Sequence, residues 1–235
     1  MGGERASKEL FPESLWIPYV DPGFRLAVEV KESLKSYQEE RGKYPEIVFL
    51  QNHGMIVAGE DPERIKEVHN KVLETLTDRY RGKRVETKLS VADLPWEEKI
   101  GEAIERIKES LGKEASVHIV WSGSFPLPEG GLTPDHVVYA HSKFFCKEPN
   151  PKEVEAFQRE FGFKPKIFKF ADAVFAWGKN QTEAELAMAL VKDGALIVQL
   201  SEAFGGVNYM SEESCKFIES WEVEAYRRKV IQESE

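Results

Sequence analysis

No apolar run in this sequence is long enough to cross a bilayer. The longest, such as Ala195 to Leu200, stop far short of the roughly 20 residues that a spanning helix needs. No apolar core of signal-peptide type follows Met1, so nothing directs the chain to secretion. Cysteine is scarce: Cys146 and Cys215 make neither a metal-spacing pair nor a disulfide framework, and free thiols in a reducing, cytoplasmic setting are expected. Positive charge is also in deficit, with 32 Lys and Arg against 41 Asp and Glu and a net charge of −9. That balance argues against nucleic acid as a partner, because phosphate contacts need clustered cations. Histidine is sparse too: there are five, none before His53 and none in a His-x-His pair. What is present suits a soluble globular protein, at 235 residues with 41% hydrophobic and 31% charged. That length holds one large domain or two small ones.

The first dozen residues are polar and without period, and only partial order is expected of them. Leu26, Val30, Leu34 and Tyr37 recur at helical spacing up to Gly42. Glu46 to Leu50 reads as a strand, Gln51-Asn52-His53-Gly54 as a tight polar turn, and Met55 to Ala58 as a second strand. Asp61-Pro62 starts a helix with an N-cap carboxylate and proline at the first helical position. Its expected core face is Ile65, Val68, Val72, Leu73 and Leu76, with His69 packed beside them. Gly82 and Pro95 bracket a charged linker, and a helix carrying Ile100, Ala103, Ile107 and Leu111 follows. Ser116 to Trp121 reads as a strand, with His118 as a structural residue in it. Thr133-Pro134-Asp135 then begins another helix. The last third reads as a short helix, strands near residues 167–170 and 173–177, a helix over 183–192, a strand over 195–200 and a helix over 212–229. The expected fold is therefore α/β with mixed sheets and flanking helices. It divides into a unit over residues 1–82, a linker at 83–96 and a second α/β unit over 97–235.

One internal echo recurs at an offset of 119 residues. Ile47-Val48-Phe49 through Gly59 and Asp61 lines up with Lys166-Ile167-Phe168 through Gly178 and Asn180. Both copies read strand, polar turn, strand, glycine, capped helix. The first turn carries His53 and the second Asp172, so a duplication would leave the second copy without the histidine. His53 is the sharpest candidate for chemistry. A turn between two strands projects an imidazole from a rigid edge, and Gly54 lets the backbone bend there. A histidine merely hydrogen-bonded within a turn is the structural alternative.

Ile47 to Glu63, with Asn52-His53-Gly54 followed by Val57-Ala58-Gly59, resembles the class II aldolase/adducin family. Trp16-Ile17-Pro18-Tyr19-Val20-Asp21-Pro22-Gly23-Phe24 is similar to the segment that precedes that turn. The resemblance is nearest the aldolase part of rhamnulose-phosphate aldolase/short-chain dehydrogenase fusions. Gly131 to Tyr139 and Phe217 to Arg227 resemble the same branch. It implies that His53 is the third ligand of a catalytic zinc, with Asn52 and Gly54 as substrate-binding neighbours. It also implies retro-aldol cleavage of a ketose phosphate, with zinc polarising the substrate oxygens and a tyrosine protonating the leaving aldehyde. Tyr19 is the one residue near the place for that acid; an aromatic core residue is the alternative.

Family members carry a His-x-His pair, a catalytic Glu and a glycine-rich phosphate segment upstream of the Ile-Pro-Tyr stretch, and nothing here corresponds to them. A catalytic zinc needs three protein ligands and an open position, and this chain supplies one at the expected place. The expectation is an N-terminally truncated aldolase-like unit, inactive alone. An upstream polypeptide carrying the His-x-His segment would be its partner, a small sugar phosphate its substrate, and a homo-oligomer its assembly. His136, in the first turn after Thr133-Pro134, and Asp135 beside it are candidate substrate-binding residues of the second unit, with helix capping as the alternative. If the chain is instead a non-catalytic binding or scaffold protein of the adducin type, those two residues would hold a sugar or metabolite. No nucleic-acid and no membrane role is expected.

Overall fold

The continuous apolar stretches on either side of Gln51-Asn52-His53 pair with each other, and this hairpin organises the N-terminal half. The structure, a computed structural model, describes residues 2–112 and 116–221. The chain is α/β and divides into two units: Met1–Thr87 with Val198–Asn208, and Lys88–Ile197 with Tyr209–Glu235. The expected linker at residues 83–96 straddles that division. The return of residues 198–208 to the first unit is not visible in local sequence.

In the first unit, α1 (Gly3–Leu10) precedes β1 (Leu15–Ile17), α2 (Phe24–Arg41), β2 (Ile47–Leu50), β3 (Gly54–Val57) and α3 (Pro62–Lys83). β1 runs parallel to β2 and β3 antiparallel to it, in the order β1-β2-β3. The first dozen residues therefore hold a helix, contrary to expectation. Ala6 and Phe11 are buried, and the Phe11 ring lies 5.4 Å from that of Phe49. Val68 and Val72 of α3 are buried as read, but Ile65 and Leu73 are 40% and 48% exposed, and His69 is exposed rather than packed. Ile65, His69 and Leu73 stand at i, i+4 and i+8 on one exposed stripe of α3.

In the second unit, α4 (Glu97–Leu111), β4 (His118–Gly123), α5 (Pro134–Ala140), α6 (Pro151–Phe161), β5 (Ile167–Phe170), β6 (Ala173–Gly178), α7 (Gln181–Ser201) and α8 (Glu212–Ser220) follow. The sheet order is β4-β6-β5, antiparallel throughout, with a parallel bridge from Phe145 to Phe168 on the outer edge of β5. β6 lies between two strands and all six of its residues are buried. One side packs Phe168, Phe175 and Trp177 with Ile100 and Ile107 of α4 and Phe157 of α6. The other packs Val174 and Ala176 with Ala187 and Val191 of α7. The strand expected over residues 195–200 is instead the last part of α7. A short apolar run does not distinguish strand from buried helix, and Gly194 continues the helix where an added Cβ would lie 3.1 Å from Pro128. His118 is half-buried at the start of β4. Of the C-terminal apolar face, Ile218 is buried and Phe217 lies beside Trp221 at 5.7 Å. Tyr226, Arg227 and the rest of the helix expected to residue 229 lie outside the described residues.

The two units repeat one plan: a parallel edge segment, a helix, a hairpin and a second helix. The correspondence runs at an offset of 120 residues before the turn and 119 after it. Tyr37, Gln38, Gly42, Pro45 and Ile47 match Phe157, Gln158, Gly162, Pro165 and Ile167, while Gly59 and Asp61 match Gly178 and Asn180. Gly42 and Gly162 end their helices by donating to the carbonyls of Gln38 and Gln158, each at 2.8 Å. Asp61 and Asn180 cap the next helix by accepting from the N–H three residues on. The ion pair joining the first strand to that helix is also repeated, with its charges exchanged: Glu46 with Arg64, and Lys166 with Glu183. The single constant offset of 119 expected from sequence is therefore corrected. β2 is joined to β3 by three residues between Leu50 and Gly54, and β5 to β6 by two between Phe170 and Ala173. The extra residue falls in the turn that carries His53.

Candidate functional site

The turn around His53 is set by backbone conformation. Asn52 lies at φ 58° and Gly54 at φ 137°, a region that residues with a Cβ rarely adopt. The His53 N–H donates to the Leu50 carbonyl at 3.0 Å, and the Gln51 N–H donates to Ile17 at 3.0 Å, tying the turn to β1. The imidazole is half-buried and its Nε2 lies 2.8 Å from the Val20 carbonyl oxygen. A carbonyl only accepts, so Nε2 carries a proton, and in the neutral ring Nδ1 holds the lone pair. The Tyr19 ring stacks on the imidazole at 5.3 Å, with 4° between the planes. The Tyr19 hydroxyl lies 3.4 Å from Asp21 Oδ1, and the Asn52 side-chain amide donates to the Asn208 carbonyl at 3.0 Å.

Tyr19 is thus brought against the Asn52-His53-Gly54 turn in the first unit. Tyr19 is half-buried beside the histidine rather than in a core. An N–H held by a main-chain carbonyl, with the other nitrogen bare, is the arrangement that orients metal-ligating histidines. The ligand count does not reach a zinc site. Among the described residues, no three His, Cys, Asp or Glu side chains are grouped to hold a metal. His53 therefore fits one ligand position, and the described residues do not fit a complete zinc centre.

In the second unit, His136 is buried at the start of α5 and its polar atoms are engaged in a chain. Its backbone N–H donates to Thr133 Oγ1 at 3.3 Å, Thr133 Oγ1 lies 2.6 Å from Nδ1, and Nε2 lies 3.2 Å from Asp193 Oδ2. With Asp193 accepting, Nε2 carries the proton and Nδ1 accepts from the Thr133 hydroxyl. Burial pushes the imidazole below its ordinary value, against the opposing pull of Asp193 and Asp135. The ring ties the α5 cap to α7, while Asp135 is exposed beside it. This Thr–His–Asp chain was missed in sequence because Asp193 lies 57 residues from His136.

The hairpin that corresponds to the His53 turn has Ala171 and Asp172 at φ 54° and 61°, the two-residue geometry that suits the twist of paired strands. Lys99 donates to Asp172 at 2.7 Å and holds its carboxyl below the usual range.

A third feature gave no signal in sequence. A cavity of about 1160 Å³ opens in the first unit beside the far ends of β2 and β3, lined by Phe11, Tyr37, Tyr44, Pro45, Ala58 and Arg64 among others. Arg64 donates to both Glu46 oxygens at 2.6 and 2.7 Å, which holds the Glu46 carboxyl low.

Compared with protein-family models, with curated proteins and with solved structures, the chain matches none.

Proposed function

We propose that this chain contributes the third metal ligand of a class II aldolase-type sugar-phosphate lyase, and that a His-x-His segment on an upstream polypeptide completes the site. The observation that carries this reading is the setting of His53: Nε2–H directed to the Val20 carbonyl, the ring stacked on Tyr19, and Nδ1 left with the lone pair. The one extra turn residue relative to the other hairpin supports it, because that residue raises an imidazole where the second unit has only a tight turn. In this reading the aldolase-like unit is the first one. His53 is held in one tautomer and one orientation, Asn52 and Gly54 shape the turn beside the substrate, and Tyr19 is the acid–base group at the aldehyde oxygen, taking up the hydroxyl proton on cleavage and returning it on condensation. Zinc, when bound in such a site, supplies polarisation of the ketose oxygens. The assembly is a homo-oligomer.

The test is zinc content after metal stripping and reconstitution, for the chain alone and with the upstream segment supplied, beside His53→Ala. The chain alone is expected to hold no tight zinc and to release no aldehyde from a ketose 1-phosphate. With the segment present, about one equivalent binds and is lost in the variant. Tight zinc or retro-aldol turnover by the chain alone, lost in His53→Ala, refutes the incomplete-site reading.

The cavity in the first unit favours a second reading, a non-catalytic metabolite-binding protein of the adducin type. Under that reading His53→Ala leaves ligand binding unchanged, and no metal dependence is seen. Asp135 and His136 are less suited to hold the ligand, because both His136 ring nitrogens are engaged within the fold.

A further inference from the structure

The repeated plan shows what the first-unit cavity lacks. At the end of β6 stands Trp177, 5% exposed, with its indole N–H donating to the Pro165 carbonyl at 2.7 Å. The Lys166 ammonium lies 5.1 Å from the ring centre, and Phe157 belongs to the same packed cluster. At the corresponding place, directly after β3, stands Ala58. The counterparts of the tryptophan's surroundings, Pro45, Glu46, Tyr37 and Gly59, all line the cavity, together with Ala58 itself. The cavity therefore includes the space that an indole side chain fills in the second unit.

We propose that this cavity binds a small planar heteroaromatic molecule whose ring N–H donates to the Pro45 carbonyl, as the Trp177 indole donates to Pro165. Phe11 and Tyr37, both buried, supply aromatic walls, and Tyr44, 59% exposed, stands at the mouth where it closes over one face of the ring. The volume exceeds that of one indole, so the ring anchors a larger ligand whose remainder lies among Lys43, Arg64 and Lys71. The inference stands on the correspondence between the units and does not depend on the aldolase reading, which concerns His53 and a metal.

Indole is the probe, titrated into the full chain and followed by amide shifts. Saturable binding is expected with a dissociation constant on the order of 1 mM, in keeping with the small number of ligand atoms. The shifted amides are expected at Phe11, Tyr37, Ala58 and Gly59. Ala58→Trp fills the space from within and is expected to weaken indole at least tenfold, while His53→Ala leaves it unchanged. Benzothiophene, of the same shape without the N–H, is expected to bind about tenfold more weakly, because it leaves the carbonyl without its donor. Absence of saturation, shifts confined to other residues, or equal binding by a folded Ala58→Trp variant overturns the proposal. Should that variant fail to fold, the location of the shifts in the unaltered chain decides. Equal binding of benzothiophene overturns the assigned hydrogen bond.

Discussion

Replacing Lys166 by Met is expected to destabilise the second unit strongly, while replacing Arg64 by Met leaves stability almost untouched. The two residues belong to the same ion pair of the repeated plan. What differs is burial. The Lys166 and Glu183 side chains are 13% and 11% exposed, and Glu183 also accepts from the Lys179 N–H at 2.6 Å. Arg64 and Glu46 are 46% and 45% exposed, where water replaces a lost partner. Removing one member of a buried pair strands the other charge, at a cost of about 3 kcal/mol, which lowers Tm by roughly 6–12 °C in a unit of this size. Lys166 also covers the Trp177 ring, so its loss adds to the effect. Thermal and denaturant unfolding followed by tryptophan emission reads the change. The exchanged pair Lys166→Glu with Glu183→Lys is expected to recover part of the loss, because the first unit holds the same geometry with that polarity. Equal shifts for Lys166→Met and Arg64→Met would show that burial does not set the strength of these pairs.

Gly178→Ala is expected to cost about 2 kcal/mol, since a Cβ there meets the Ala184 backbone N at 2.6 Å; Gly59→Ala meets backbone only at 3.0 Å and is expected to shift the unfolding midpoint less. In hydrogen exchange, the amides of Met55 and Val57 are expected to exchange much faster than those of their counterparts Val174 and Ala176. β3 is an edge strand, whereas β6 is paired on both sides; comparable protection would mean that the β3 edge is covered in solution. Folding holds the His136 pKa below its ordinary value of 6.5, so its contribution to stability is complete above that pH and is lost as pH falls through the lowered folded value. The unfolding midpoint is therefore expected to drop on acidification below pH 6.5, with a shallower drop in His136→Asn; identical slopes would remove His136 as a source.

Where a local rule decides an element, the sequence was sufficient. Asp61-Pro62 and Thr133-Pro134 start helices by capping and by the fixed φ of proline, and both helices begin there. The hairpin strands followed from apolar stretches around polar turns. The failures share one cause, that burial is not local. Ala195 to Leu200 has strand-like composition but continues a helix. Ile65 and Leu73 fit a core face yet lie outside it, at 40% and 48% exposed. The Tyr19–His53 stack and the Val20 contact were within reach, because the two segments were already grouped by resemblance. The His136–Asp193 pair was not.

The repeated plan also separates what the fold requires from what it leaves free. Both copies keep the capping side chain, the close glycine after the second strand, the helix-ending glycine and a cross-linking ion pair, each of which satisfies a backbone or packing demand of its own unit. At three places the copies differ in ways that no shared demand explains. The turn gains one residue and places His53 there, the position after β3 shrinks from Trp177 to Ala58, and the outer edge of β3 loses the strand that β4 provides to β6. Each change costs the first unit something: a longer turn to order, a ring's worth of packing, and unpaired strand edges. A unit that carries all three costs on one hairpin is trading stability for access, with an imidazole at the turn end of the strands and a cavity at their far ends. The second unit, with its full core and two-residue turn, gives up none of these contacts, so candidate binding chemistry belongs first to the hairpin of residues 47–59.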